Sequence, residues 1–266
     1  METIRSKDGT SLAFDRAGHG PTLILVGGMF EQRALDTDTA KLAALPLLAE
    51  HFTVVHYDRR GRGDSANTLP FAVEREIEDV EALIDHVGGP ADVFGISSGA
   101  ALAFEATLSL GGKVRKLALY EPPYNDDPDA RRAWVTFSRE LGQTLARGQH
   151  AEAVGLFMKL LGVPAEHIAG MRAYPMWPMW EAVAPTMAYD VAALGAEAAV
   201  PTRRSAGLTI PTLVLSGSES YPFMNTSAAA LAAALPHGRH RVLDGQTHEV
   251  DVNVLAPILI EFFTES

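Results

Sequence analysis

Short apolar runs alternate along this chain with longer amphipathic stretches, and that alternation predicts a mostly parallel β-sheet flanked by helices, an α/β fold. Residues 22–26, 53–57, 91–94, 116–120, 212–215 and 240–243 read as the central strands. Residues 3–18 read as a hairpin that reverses at Asp8-Gly9, a dipeptide suited to tight turns. Helices fit residues 39–50, 73–87, 98–110, 225–235 and 252–264. Residues 125–207 break the rhythm: they are helical in pattern, rich in Met, Trp and Ala, and contain no convincing strand. An inserted helical cap explains this better than an independent domain, with residues 1–124 and 208–266 forming the core.

Composition narrows the picture. A chain of 266 residues suits one large domain carrying such an insertion, and with 47% hydrophobic residues it can bury a sizeable core. The formal charge of -11 opposes non-specific binding to nucleic acid or to an anionic membrane, which leaves a small-molecule substrate as the expected partner. There is no cysteine, so disulfides, thiolate catalysis and cysteine-held metals are excluded. The first residues, METIRSKDGT, hold no apolar stretch and predict no secretory signal. No run reaches the ~20 apolar residues of a membrane span, so a cytoplasmic location is expected. The glycines near Val26 lack the G-x-G-x-x-G spacing, and no His/Asp/Glu group has ligand spacing, so neither cofactor nor metal is expected.

The candidate chemistry starts at Gly95-Ile96-Ser97-Ser98-Gly99, a G-x-S-x-G segment directly after an expected strand and before an expected helix. A serine on so sharp a turn needs near-absent side chains two residues to either side, where the backbone folds on itself. Gly95 and Gly99 meet that need around Ser97, whereas Ser98 would be flanked by Ile96 and Ala100. Ser97 is therefore the expected nucleophile. The oxyanion formed by its attack needs donors. One is the backbone N–H of Ser98, and the second is the N–H of Met29 or of Gly28, on the glycine-rich stretch that follows residues 22–26. His248, in the loop after the last expected strand, can reach back to the nucleophile as general base, while His56 reads as a core histidine.

These features together resemble the α/β-hydrolase family along essentially the whole chain: the Val26-Gly27-Gly28 loop, the turn Asp58-Arg59-Arg60-Gly61-Arg62-Gly63-Asp64-Ser65, the elbow at Ser97 and the late His248. The resemblance implies a structural role for the three arginines of that turn, not a phosphate site. Ser97 sets the chain apart from relatives with an aspartate nucleophile. Gly95–Ala100 and Tyr120-Glu121-Pro122-Pro123 are most similar to the zearalenone lactonases, which open a macrolactone. In most of the family the orienting acid lies three residues beyond a glycine at the end of a late strand, but counting from Gly217 that slot is Ser220. The lactonase resemblance instead implies Glu121 as the acid, at the end of the strand over residues 116–120, with Glu219 as the alternative.

In the expected cap, Tyr174, Met176, Trp177, Met179 and Trp180 are candidates for an apolar substrate pocket. The resemblance puts Trp177 beside the substrate. Their simpler role would be to fasten the cap to the core. The leading expectation is hydrolysis of a hydrophobic, ring-containing ester or lactone through an acyl-enzyme. Alternatives on the same fold are C–C cleavage, perhydrolysis, hydroxynitrile cleavage or non-catalytic binding of a small molecule.

Overall fold

The computed structural model of the chain describes residues 1–33 and 44–265. Its sheet opens with an antiparallel hairpin of β1 (Glu2–Arg5) and β2 (Ser11–Gly18). Gly9, in the turn between them, has a φ of 87°, a region where a side chain would be strained. Six more strands follow: β3 (Thr22–Val26), β4 (Thr53–Tyr57), β5 (Ala91–Ile96), β6 (Val114–Tyr120), β7 (Thr212–Gly217) and β8 (Gly238–Leu243). The spatial order is β1-β2-β4-β3-β5-β6-β7-β8; β2 runs antiparallel to β4, and the pairs from β4 to β8 are parallel. The mostly parallel sheet expected from the sequence is therefore present.

Alternation of side chains explains why these strands read as continuous apolar runs. Ile24 and Val26 of β3 join one core, while Leu23 and Leu25 join a second core on the opposite face. Leu117 and Leu119 of β6 point to the first, and Ala118 and Tyr120 to the second. A strand buried on both faces has no polar side to show, as in other parallel sheets.

The helices are α1 (Ala44–Ala49), α2 (Val73–His86), α3 (Ser98–Leu110), α4 (Pro128–Ala146), α5 (His150–Leu160), α6 (Ala165–Met171), α7 (Trp177–Val183), α8 (Met187–Leu194), α9 (Thr202–Ser205), α10 (Pro222–Ala234) and α11 (Val252–Thr264). The first part of the helix expected over residues 39–50 lies outside the described residues. Helices α4 to α9 fill the stretch between β6 and β7, and no strand occurs there. The sharp start of this stretch is local: Asp127 accepts from the amides of Asp129 and Ala130, and Pro128 occupies the first turn where no N–H is needed. Helix α3 is buried over most of its length beneath α2 and α8. Its sequence, SGAALAFEATLSL, is dominated by small residues that let neighbouring helices approach closely. Among the described residues no helix is long and apolar enough to cross a membrane.

Chain order reverses between β3 and β5: β4 lies on one side of β3, and β5 begins the run that continues on the other. Open α/β sheets gather their ligands at the carboxyl ends of the strands at such a switch point. Here those ends carry the Gly27-Gly28-Met29 loop and Ser97.

Candidate active site

Ser97 sits between the last residue of β5 and the first of α3, with φ 54° and ψ -131°. For a non-glycine residue this conformation costs on the order of 1–3 kcal/mol and persists only where its surroundings impose it. Two constraints do so. The Ser97 N–H donates to the Tyr120 carbonyl at 2.9 Å, and helix α3 is pressed against the strands. A Cβ added to Gly95 would lie 2.6 Å from the Gly99 carbonyl oxygen, and one on Gly99 would lie 2.3 Å from the carbonyls of both Val26 and Gly27. Gly99→Ala gains ~1 kcal/mol of helix propensity, but the atoms it meets are backbone and cannot rotate away. The clash should win, at a net loss of ~1–3 kcal/mol or more, read as a lower urea midpoint with an unchanged m-value.

Two further side chains converge on Ser97. His248 follows β8, and its Nε2 lies 3.1 Å from Ser97 Oγ. Its Nδ1 lies 2.6 Å from Glu121 Oε2. A carboxylate only accepts, so Nδ1 carries the proton and the Nε2 lone pair faces the serine hydroxyl. Tyr120 OH donates to the Thr247 carbonyl at 2.5 Å and so anchors the loop that carries the histidine. The same loop passes so near Gly217 that a Cβ there would lie 2.1 Å from the Gln246 carbonyl oxygen.

Glu121 is fully buried and, like Ser97, has a positive φ, 46°. Its N–H donates to the Leu215 carbonyl at 3.0 Å. Its carboxylate accepts from Gly217 N–H at Oε1 and from Ser220 Oγ at Oε2, both at 2.8 Å. Thus Ser220, in the slot where the resemblance would place the acid, donates to Glu121 instead. Glu219 is exposed, and its backbone N–H donates to the Gln246 carbonyl. The structure brings Ser97, His248 and Glu121 together and leaves Glu219 outside.

Of the two amides considered beside Ser98 for the oxyanion, Gly28 is corrected by the geometry. Its N–H already donates to Glu31 Oε2 at 2.8 Å. Among the described residues the amides of Met29 and Ser98 donate to no group. Gly28 still matters as a glycine, since a Cβ there would lie 3.1 Å from Ser97 Cβ. Ser98 cannot take the place of the half-buried Ser97 hydroxyl. It is buried, and its Oγ donates to Asp190 Oδ1 at 2.8 Å.

The five apolar candidates of the helical stretch separate. Tyr174 is exposed, Met176 and Met179 are half-buried, and Trp177 is buried in the core with its indole N–H on Glu181 Oε1 at 2.5 Å. Trp180 is the one in ring contact with the Met29 loop, its ring 5.8 Å from that of Phe30. Phe157 meets Phe30 edge-on at 5.5 Å. Phe30 and Phe157 were not singled out by sequence reasoning, although Phe30 directly follows Met29.

The arginines of the Asp58–Ser65 turn are buried and paired. Arg59 bonds Glu76 and Asp190, Arg60 bonds Asp79 and Asp8, and Arg62 bonds Asp190. His56 is buried within β4.

The chain matches the family model described as "Alpha/beta hydrolase family" over residues 23–257. It is similar to a solved alpha/beta hydrolase from Sphaerobacter thermophilus DSM 20745, at 45% identity over 99% of this chain and 100% of that one, with a TM-score of 0.85. A thermophilic esterase from Thermogutta terrifontis, solved with malate bound, is 21% identical over 99% of this chain and 98% of its own, with a TM-score of 0.73, a likeness of fold alone. A curated relative named "Probable oxidoreductase EphD", from Mycobacterium tuberculosis (strain ATCC 25618 / H37Rv), is 30% identical over 159 residues, 53% of this chain. The match spans about a quarter of that relative's length, 26%.

Proposed function

The chain belongs to the alpha/beta hydrolase family, and from that premise we propose that it is a serine hydrolase cleaving a carboxylic ester or lactone through an acyl-enzyme. The observation that carries this reading is the continuous line from Ser97 Oγ to His248 Nε2 and from His248 Nδ1 to Glu121 Oε2, at 3.1 and 2.6 Å. His248 takes the serine proton as Oγ attacks the substrate carbonyl. Glu121 holds the ring in the needed tautomer and stabilises the imidazolium. The amides of Ser98 and Met29 receive the oxyanion, helped by the positive N-terminal end of α3. His248 then gives the proton to the departing alkoxide and activates water for deacylation.

The helical stretch over residues 125–207 acts in this reading as a cap. Phe30, Trp180 and Phe157 supply an apolar wall beside the Met29 loop, and the half-buried Met176 and Met179 adapt to irregular shapes. A hydrophobic, ring-containing acyl or alcohol group suits them better than a charged or sugar substrate. The sequence resemblance to zearalenone lactonases is the reason for including lactones among the substrates.

The test is a panel of chromogenic esters, from acetate to bulky aromatic acyl groups, with aromatic lactones alongside. Turnover of esters or lactones is expected, and its complete absence across the panel overturns the reading. Trp180→Ala should lower kcat/KM for bulky aromatic esters by ~10-fold or more, the size expected when ~1–3 kcal/mol of apolar contact is lost, while sparing the acetate. Equal losses on both would make Trp180 scaffolding.

A further inference from the structure

A buried set of charges links the helical stretch to both sides of the site. Asp190, on α8, is fully buried. Its Oδ1 accepts from Arg59 Nη1 at 2.6 Å and from Ser98 Oγ at 2.8 Å, and its Oδ2 accepts from Arg62 Nη2 at 2.6 Å. Burial pushes the Asp190 carboxyl up, but Arg59 and Arg62 outweigh it and hold the group below the usual carboxylate range. The two arginines do more than pair. Arg62 Nη1 donates to the Gly28 carbonyl at 2.6 Å, and Arg59 Nη1 donates to the Gly27 carbonyl at 3.3 Å.

Those carbonyls belong to the loop before Met29. A trans peptide is planar, so its C=O and N–H point opposite ways. Fixing the Gly28 carbonyl on Arg62 therefore fixes the direction of the Met29 N–H, which shares that peptide. A guanidinium on the carbonyl also polarises the amide and strengthens its N–H as a donor. At the other side, the hydroxyl of Ser98 holds the residue whose own N–H is the second donor. Asp190 thus ties both donor-bearing peptides to one carboxylate.

We propose that Asp190 is a positioning residue for the oxyanion hole, one that holds both donor-bearing peptides in place through Arg59, Arg62 and Ser98. This rests on the acyl-transfer reading above. Asp190 touches no substrate; it acts through Arg59, Arg62 and Ser98. The competing account is that the buried ion pairs merely fasten α8 to the core. Another fastening on α8 provides the contrast: Tyr189 OH exchanges hydrogen bonds with the Asn67 amide at 2.9 and 3.0 Å, and among the described residues it bonds neither the loop nor Ser98.

The test compares the wild type, Asp190→Asn, Ser98→Ala and Tyr189→Phe. Readouts are the melting temperature, kcat and KM on one chromogenic ester, and affinity for an aryl trifluoromethyl ketone against its non-electrophilic methyl ketone analogue. The trifluoromethyl ketone adds Ser97 and places an oxyanion in the hole, whereas the methyl ketone reports ground-state binding only. Asp190→Asn should lower kcat and trifluoromethyl ketone affinity by ~10²-fold, with KM and methyl ketone affinity changed by less than about threefold. Ser98→Ala leaves no charge unpaired and should lower the same two quantities by ~10-fold, about one hydrogen bond's worth. Tyr189→Phe should lower melting temperature and leave kcat unchanged. If Asp190→Asn does not fold, Ser98→Ala decides. A folded Asp190→Asn with wild-type kcat and inhibitor affinity, or a Ser98→Ala with both unchanged, overturns the proposal. If instead the wild type neither turns over esters nor is labelled by a fluorophosphonate, the acyl-transfer reading itself has failed.

Discussion

Replacing Ser97 by alanine is expected to abolish ester hydrolysis and covalent labelling together, while leaving the fold in place. The elbow does not depend on the hydroxyl. Its shape is set by the Ser97 N–H on the Tyr120 carbonyl and by the close packing at Gly95 and Gly99, and alanine preserves both. Alanine at φ 54° pays the same order of backbone strain as serine, so stability should change little. Chemistry should change greatly, because among the described residues the neighbouring hydroxyls are already engaged. Ser98 is buried and bonded to Asp190, and Ser220 is bonded to Glu121. A second serine–histidine contact, Ser216 with His240 at 2.9 Å, is equally unsuited, since Ser216 Oγ donates its proton to Asn225 and has none to give the ring. A fluorophosphonate should therefore attach once, at Ser97, as mass spectrometry of the labelled peptide would reveal. Loss of the nucleophile should lower kcat on the order of 10⁶-fold, to the residual rate that binding and oxyanion donors supply alone. A label on Ser98, or an alanine variant that still turns over esters, would remove Ser97 from the mechanism.

What was legible in the sequence divides along the range of the interactions involved. The elbow is local: a strand, five residues with glycines at both ends, and a helix, so the conformation of Ser97 can be read from its neighbours. The strands are legible because burial on two faces leaves continuous apolar runs, as at Leu23–Val26. Their ends are less so. Gly95 and Gly217 interrupt the apolar pattern, yet β5 runs on through Gly95 to Ile96, and β7 ends on Gly217. A strand pattern does not register that a neighbouring backbone passes too close for a side chain.

Long-range contacts were not legible. Asp190 lies in MAYDVAAL as an isolated acid in an apolar helix, 92 residues from the Ser98 hydroxyl it accepts from. The choice between Gly28 and Met29 as donor turns on one side chain, Glu31, whose carboxylate occupies the Gly28 amide. Trp177 and Trp180 are three residues apart, and nothing in their spacing decides which of them meets the core and which meets Phe30. That depends on how α7 is rotated against its neighbours, which is tertiary information.

The proposed acid, Glu121, lies away from the slot that the sequence resemblance implies for most of the family, and Glu121→Gln against Glu219→Gln tests that assignment. Glu121 is buried and accepts from Gly217 N–H, from Ser220 Oγ and from the ring of His248. Three donors converge on two oxygens, the surroundings of a permanent acceptor. A glutamine there keeps its oxygen on the fixed Gly217 N–H and turns its amide N–H₂ toward the side shared by Ser220 Oγ, which can rotate to accept, and His248 Nδ1. Facing His248, that amide favours the tautomer with its proton on Nε2, which can no longer take the proton of Ser97. Glu121→Gln is therefore expected to lower kcat by up to ~10⁴-fold with little change in KM or melting temperature. Glu219 is exposed and touches neither partner, so Glu219→Gln should stay within about twofold of wild type, as surface charges usually do. Ser220 gives a sharper arm. Its Oγ lies 2.8 Å from the carboxylate oxygen that His248 uses, so an aspartate at this position brings a carboxylate into the same neighbourhood. In a Glu121→Gln background, Ser220→Asp should recover part of the lost kcat, ~10-fold or more, if the defect is the missing carboxylate. A glutamine variant at 121 with near-wild-type kcat, or a larger loss at 219 than at 121, would return the acid to the loop after β7.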